Sequence, residues 1–235
     1  MRPDQGLPPD NARLRGRNKG GLVVRLYERH ILPRLVDLSM RQERLVDYRR
    51  ATISAARGAV VEIGVGSGHN LSLYGAPVDR VFALDPSPEL LTMAESRLAE
   101  ARRPVVLLRA SAEELPMPDH SVDTIVTTWT LCTIRDPIKA LREMRRALKP
   151  DGRLLFVEHG LAPEPGIQRW QNWLTPCWRP LAGACHLNRK MDDLIRAGGF
   201  RIDKIRAGYI KGAKANDLHV PGERGALTGK SGSGG

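Results

Sequence analysis

Long apolar runs are missing from this 235-residue chain. No stretch approaches the roughly 18 uninterrupted apolar residues that a membrane-spanning helix needs. Cysteine is scarce: Cys132, Cys177 and Cys185 are irregularly spaced and form neither a disulfide framework nor a C-x-x-C pattern, so a reducing compartment fits. The histidines show no H-x-x-x-H or H-E-x-x-H spacing, and no metal site is expected. The first residues, with Pro3, Pro8 and Pro9 among scattered charges, lack the apolar core of a signal peptide, which makes the cytoplasm the expected location. Acidic residues are outnumbered, 26 against 37 basic ones, for a net charge of +11. A well-solvated, arginine-rich surface accounts for that charge, and attraction to nucleic acid or an anionic membrane is the sharper alternative. Arg13, Arg15, Arg17 and Lys19 sit in an apolar-poor, glycine-containing stretch with the composition of a flexible basic tail over 1–20 rather than of a folded binding face.

What is present is an alternation of strand and helix patterns. Residues 21–57 read as a helical segment in which Val24, Tyr27, Ile31, Leu35 and Leu38 recur every three to four positions, with Pro33 expected to bend or split it. Strands follow at 59–63, 80–84, 105–108, 122–128 and 153–157, with helices from about His69, from Pro88 to about Ala101 and from Pro137 to Leu148. Residues 160–189 interrupt the alternation with Pro163, Pro165, Pro176, Pro180, Trp170, Trp173 and Trp178. A helix over 191–197 and a strand over 200–205 come next. The pattern predicts an α/β fold, a doubly wound, Rossmann-like and mostly parallel sheet with helices on both faces. After Lys211 the chain turns polar and glycine-rich, so 212–235 reads as a flexible tail and a final antiparallel strand is expected to be weak or missing. The main domain is thus 58–211, with 160–189 as an insertion on its ligand side.

One motif carries chemistry. Val60-Val61-Glu62-Ile63-Gly64-Val65-Gly66-Ser67-Gly68 is a buried strand running into a loop with glycine at every second position, which lets the backbone approach a ligand closely. A dinucleotide loop, G-x-G-x-x-G, would place its last glycine at position 69, which is His69, so a bound pyrophosphate is the weaker reading. Asp85 closes the second strand about 20 residues downstream, where an acidic residue can hydrogen-bond ribose hydroxyls. Ser111-Ala112-Glu113 follows the third strand, in position to meet an adenine edge.

Residues 58–158 resemble the core of class I S-adenosylmethionine (SAM) methyltransferases, particularly the branch with ubiquinone and menaquinone C-methyltransferases. The likeness rests on Glu62 to Gly68, Asp85, Ser111-Ala112-Glu113, the strand through Asp123, and Leu148-Lys149-Pro150-Asp151-Gly152. It implies SAM as cofactor, held by Glu62, Gly64, Gly66, Gly68, Asp85, Pro86, Ser111, Ala112, Glu113 and Thr128, with Asp85 on the ribose and Ala112 and Glu113 beside the adenine. Tyr27-Glu28-Arg29, Thr128-Trp129-Thr130-Leu131-Cys132, Glu158-His159 and Cys185-His186-Leu187-Asn188-Arg189 are similar to methyltransferase-like alkyl-thiol methyltransferases. This implies a small, apolar methyl acceptor, first of all a thiol; those enzymes join membranes through an apolar N-terminal segment that this sequence does not show.

SAM brings its own activated methyl, so few catalytic side chains are needed, and alignment alone can supply about 7–11 kcal/mol of barrier reduction. A thiol still gains from a base or a cation; His159 is the first candidate, with His186 and Arg189 behind it. Trp129, Cys132 and Trp170 are expected to wall the acceptor. Quinone C-methylation or phospholipid N-methylation at a membrane surface are alternatives, as is a SAM-binding module without catalysis. No N-P-P-Y-like loop follows the fourth strand, so nucleic acid is not the expected substrate. Peripheral membrane contact stays open, and the oligomeric state is not set by the sequence.

Overall fold

The computed structural model describes residues 22–205 and 223–231. The expected basic tail at 1–20 lies outside these residues. The chain opens with α1 (Leu22–Leu26), a single π-helical turn (Tyr27–Ile31) and α2 (Leu32–Met40). The expected break at Pro33 takes that form. Proline has no N–H and its ring crowds the carbonyl four residues back, and just before it the Leu32 N–H reaches five residues back to Tyr27 O. Next come α3 (Glu43–Ile53), β1 (Gly58–Ile63), β2 (Val78–Asp85), α4 (Pro88–Glu95), β3 (Val105–Arg109) and β4 (Val122–Thr128). The chain continues with α5 (Pro137–Ala147), β5 (Leu148–His159), α6 (Pro165–Leu181), α7 (Met191–Ala197), β6 (Phe200–Ile202) and β7 (Glu223–Ser231).

The sheet runs β3-β2-β1-β4-β5-β7-β6. Strands β1 to β5 are parallel to one another, and the order reverses between β1 and β4, which opens a crevice at their carboxyl ends. One face is packed by α5 and α7 around Ile125, Leu141, Met144, Phe156 and Ile195. The other is packed by α3, α4 and the segment after β1, around Ile53, Leu71, Tyr74, Val81 and Leu155. Both faces are covered at the centre of the sheet, so β4 is buried at Val122 and at Thr124 to Thr127.

Helix α4 stops at Glu95, short of Ala101, and strand β6 at Ile202, short of 205, and three larger expectations change. The final antiparallel strand is present: β7 lies between β5 and β6 and is antiparallel to both, from His159↔Glu223 to Arg153↔Lys230 and from Phe200↔Ser231 to Ile202↔Gly229. A strand paired on both edges is set by its backbone ladder, so Glu223-Arg224-Gly225-Ala226-Leu227-Thr228-Gly229 needs no apolar alternation to be recruited. The reading of 212–235 as a tail therefore fails at 223–231; the rest of it lies outside the described residues. The Lys149-Pro150-Asp151-Gly152 stretch is a bulge carried within β5, across which the pairing jumps from Val122↔Leu148 to Thr124↔Arg153. The helix expected from His69 shrinks to one 3-10 turn, Leu71–Leu73. No helix among the described residues is long and apolar enough to cross a membrane.

Candidate functional site

The glycine loop turns because its backbone enters a region other residues avoid. Gly64 has φ +69° and Gly66 φ +56°. The Gly64 and Val65 amides both donate to Leu84 O, at 2.8 and 2.9 Å, which ties the loop to the end of β2. A Cβ on Gly64 would lie 2.4 Å from Thr130 Cγ2 and Oγ1, whereas one on Gly66 would meet nothing within 4 Å. Gly64 is therefore required by packing, and Gly66 faces open space. Gly68 serves a third purpose, letting α4 come close at Ala94.

Asp85 caps this arrangement. Its Oδ2 accepts from the Gly66 amide at 3.0 Å and its Oδ1 from the Ser87 amide at 2.9 Å. Burial raises its pKa, and these two bonds offset part of that. From α2, buried Asp37 reaches across to the loop: Ser67 Oγ lies at 2.6 Å, Arg97 Nη2 at 2.9 Å, Arg41 Nη2 at 2.5 Å and His69 Nε2 at 3.0 Å. Burial alone would raise the Asp37 pKa, but the Ser67 and Arg97 bonds and the neighbouring cations hold it below the ordinary carboxylate value. The N-terminal segment is thereby latched onto the cofactor-type loop, and Tyr27 Oη donates to Leu181 O at 2.6 Å at its other end.

Between these elements lies a cavity of about 740 Å³, within the usual range for small-molecule sites. Of the residues expected to hold a cofactor, Gly64, Gly66, Asp85, Pro86, Ser111, Ala112, Glu113 and Thr128 line it. Glu62 and Gly68 do not. Glu62 is buried behind the loop, accepting from Asn70 Nδ2 and Tyr74 Oη at 2.8 Å each, and burial pushes its pKa up to about 7. Asn70 also donates to Thr128 Oγ1 at 3.0 Å, so Glu62 organises the site from behind.

The opposite wall comes from the ends of β4 and β5 and from the 160–189 insertion. Trp129 takes φ +53°, a conformation uncommon outside glycine, which swings its ring toward the cavity, and Arg49 Cζ sits 5.1 Å from the ring centroid. Glu158 Oε1 accepts from the Thr130 and Leu131 amides at 2.9 and 3.0 Å and so shapes the turn that presents Cys132. Burial pushes the Glu158 pKa up to about 7. Cys132, His159 and Cys185 line the cavity together, with Trp178 beside them. His159 Nε2 stands 2.9 Å from Cys185 Sγ. The hydrogen bond from Cys132 and the contact with His159 draw the Cys185 thiol below its usual range, and the same bond pushes Cys132 up.

The other expected residues fall elsewhere. His186 and Arg189 are not among the lining side chains. The His186 ring contacts Cys132 O at 3.1 Å and Arg189 Nη1 donates to Leu131 O, so both brace the turn at 131–132. Trp170 sits on the outer side of α6, 45% exposed, and does not reach the cavity; Trp178, two helical turns on, occupies the place foreseen for it. Asp37, Arg49 and Arg97 were not foreseen, and Glu158 was singled out only beside His159, with no role of its own. The one signal for Asp37 is a carboxylate inside the apolar stripe of Leu32-Pro33-Arg34-Leu35-Val36-Asp37-Leu38.

Residues 61–156 match the protein family described as "Methyltransferase domain". The chain is 38% identical over 138 residues to thiol S-methyltransferase TMT1B of Rattus norvegicus, covering 56% of this chain and 55% of that protein. With thiol S-methyltransferase TMT1A of Homo sapiens it shares 32% over 171 residues, covering 69% and 67%. The match thus spans little more than half to two thirds of these relatives' own length. Among solved structures, the YcgJ protein of Bacillus subtilis superposes with a TM-score of 0.60 at 25% identity, over 69% of this chain and 71% of that one. Open space in front of Gly66 and a buried carboxylate at the end of β2 are features a bound nucleoside requires. With this geometry and these likenesses together, the chain belongs to the class I SAM-dependent methyltransferases, with SAM as its methyl donor.

Proposed function

We propose that this enzyme transfers a methyl group from SAM to a small, apolar thiol. The observation that carries the reading is the acceptor wall: Trp129 and Trp178 supply apolar surface, and Cys132, His159 and Cys185 gather soft, polarisable groups at one point of it. The thiol S-methyltransferases named above support the same choice.

SAM supplies a methyl group already activated on a sulfonium. The protein's share is binding, alignment and exclusion of water. Asp85 takes the ribose hydroxyls, Gly66 leaves room for the donor while Gly64 lets the loop turn against Thr130, and Ser111, Ala112 and Glu113 border the adenine, with Pro86 and Thr128 alongside. On the acceptor side His159 is the expected catalytic residue that reaches the wall, whereas His186 and Arg189 are positioning residues for the turn that carries Cys132. Trp129 and Cys132 bound the acceptor. Apolar side chains of α2 and α6, among them Leu32, Val36, Trp178 and Leu181, line the cavity and limit the access of water to the reacting sulfur.

The exposed apolar side chains Val24, Leu26, Ile31, Leu35 and Leu38, with Arg25, Arg29 and Arg34 between them, support peripheral contact with an anionic membrane, where an apolar acceptor would partition. The deciding experiment measures S-adenosylhomocysteine released with a short alkyl thiol, a demethylated quinol and phosphatidylethanolamine in turn. Turnover with the thiol alone is expected. Turnover with either of the others and none with the thiol overturns the assignment.

A further inference from the structure

Cys132, His159 and Cys185 come from three separate elements: the turn after β4, the last residue of β5 and the turn after α6. Their ligand atoms all lie within 4.8 Å of one another. Cys132 is buried, the other two are half-buried, and all three border the cavity. The third cysteine, Cys177, is exposed on α6 and takes no part.

We propose that Cys132, His159 and Cys185 bind a soft divalent cation, Zn²⁺ by preference, with a fourth coordination position open to the acceptor cavity. Two sulfurs and one imidazole form the donor set that favours zinc over hard cations, and three protein ligands with one free position are the mark of a reactive rather than a purely structural site. Around a tetrahedral ion the ligand atoms stand roughly 3.5 Å apart, given Zn–S near 2.3 Å and Zn–N near 2.0 Å. The 2.9 Å between His159 Nε2 and Cys185 Sγ has to widen slightly and the longer separations have to close, movements within reach of side chains on turns. Charge favours the site as well. Two thiolates neutralise the cation, so the wall gains no net charge, and Arg189 and Glu158 beside it already oppose each other.

The open position gives the cation a role that rests on the thiol reading above. A thiol R–SH that ligates there loses its proton to solvent, because a metal-bound thiol is deprotonated at neutral pH. The lone pair of R–S⁻ then forms the new S–CH3 bond as the CH3–S⁺ bond of SAM breaks. R–S–CH3 and S-adenosylhomocysteine leave, the thioether being a poor ligand. In this state His159 is a ligand and no longer a base.

The test uses the full chain, reduced, loaded with Zn²⁺ and desalted, with metal content read by mass spectrometry. Bound zinc at one ion per chain is expected, unchanged in Cys177→Ser and weakened at least as much as the about 10–100-fold that even outer contacts to a metal are worth in Cys185→Ala and His159→Ala. S-adenosylhomocysteine binding reports whether the variants fold. A Co²⁺-loaded wild type, which needs no variant, should show a thiolate-to-cobalt charge-transfer band and the intense visible bands of a tetrahedral ion, and both should shift on adding a short alkyl thiol. Reduced wild type that retains no zinc and gives no charge-transfer band overturns the site, as does undiminished zinc in Cys185→Ala. Full thiol turnover by metal-free enzyme overturns the cation's catalytic part and leaves the thiol reading standing. Bound zinc without thiol turnover overturns the thiol reading and the catalytic part with it, and leaves the cation site standing.

Discussion

Adding one methyl group at Gly64 and one at Gly66 should give two different failures. Both residues have positive φ, where an L side chain costs roughly 1–2 kcal/mol. Alanine also narrows the unfolded ensemble, which returns about 0.4–1 kcal/mol. At Gly66 nothing else opposes the new Cβ, so the apo protein should lose only about 1 kcal/mol. At Gly64 the Cβ lands 2.4 Å from two atoms of Thr130, and overpacking of that kind adds about 1–3 kcal/mol. At about 2–4 °C per kcal/mol for a chain of this size, Gly66→Ala should lower the apo melting temperature by about 2–4 °C and Gly64→Ala by about 4–16 °C. Affinity should rank differently. The Gly66 methyl projects into the space where the donor must lie, so S-adenosylhomocysteine binding by calorimetry should weaken more than tenfold although the fold is barely touched. Thr130→Ala removes both clashing atoms and leaves Thr130 Cβ at 3.0 Å, so in the Gly64→Ala background it should restore most of the steric loss and none of the backbone loss. Wild-type affinity in Gly66→Ala, or equal melting points for the two single variants with no recovery by Thr130→Ala, would refute this division of the loop into a packing glycine and a ligand-facing one.

Two further outcomes follow from buried charge. Asp37→Ala leaves Arg97 without its carboxylate partner and unlatches α2 from the loop, a change of about 3–5 kcal/mol when a buried pair loses one member; denaturant unfolding and SAM affinity should fall together, and a loss of stability with unchanged affinity would contradict the latch. Glu62 has its folded-state pKa raised from 4.5 to about 7, so it is protonated in both states below 4.5 and its ionisation is resisted only in the folded protein above that; its contribution to stability is lost as pH rises from about 4.5 to 7 and is about 3 kcal/mol in full. Glu62→Gln should flatten the stability curve between pH 5 and pH 8, and a curve parallel to wild type would count against it.

Local pattern carried most of the fold. Strands β1 to β5 announce themselves as short apolar runs because both faces of a parallel sheet are covered. The glycine loop and Asp85 are legible because their chemistry needs fixed residue types close together in sequence. What failed to show was long-range. Asp37 and Arg97 are 60 residues apart, and nothing in either neighbourhood marks the other. Cys132, His159 and Cys185 have no motif spacing, since three elements bring them together instead of one. Trp170 and Trp178 are alike in composition, and only the rotation of α6 decides which faces inward. Strand β7 was missed because its identity lies in what it pairs with, not in its own side chains.

That last strand sets an order of assembly. By His159 the ribosome has made the five strands β1 to β5, yet the far edge of β5, through Leu154, Leu155, Phe156 and Val157, has no neighbour until Glu223–Ser231 emerges. β6 is made earlier but joins the sheet only through β7, so it cannot protect that edge. For an interval of synthesis the nascent domain therefore presents an open, apolar strand edge, the kind of template on which chains add to one another. A chain ending before Glu223 would hold that exposed state permanently, and would tend toward self-association even with its cofactor loop intact.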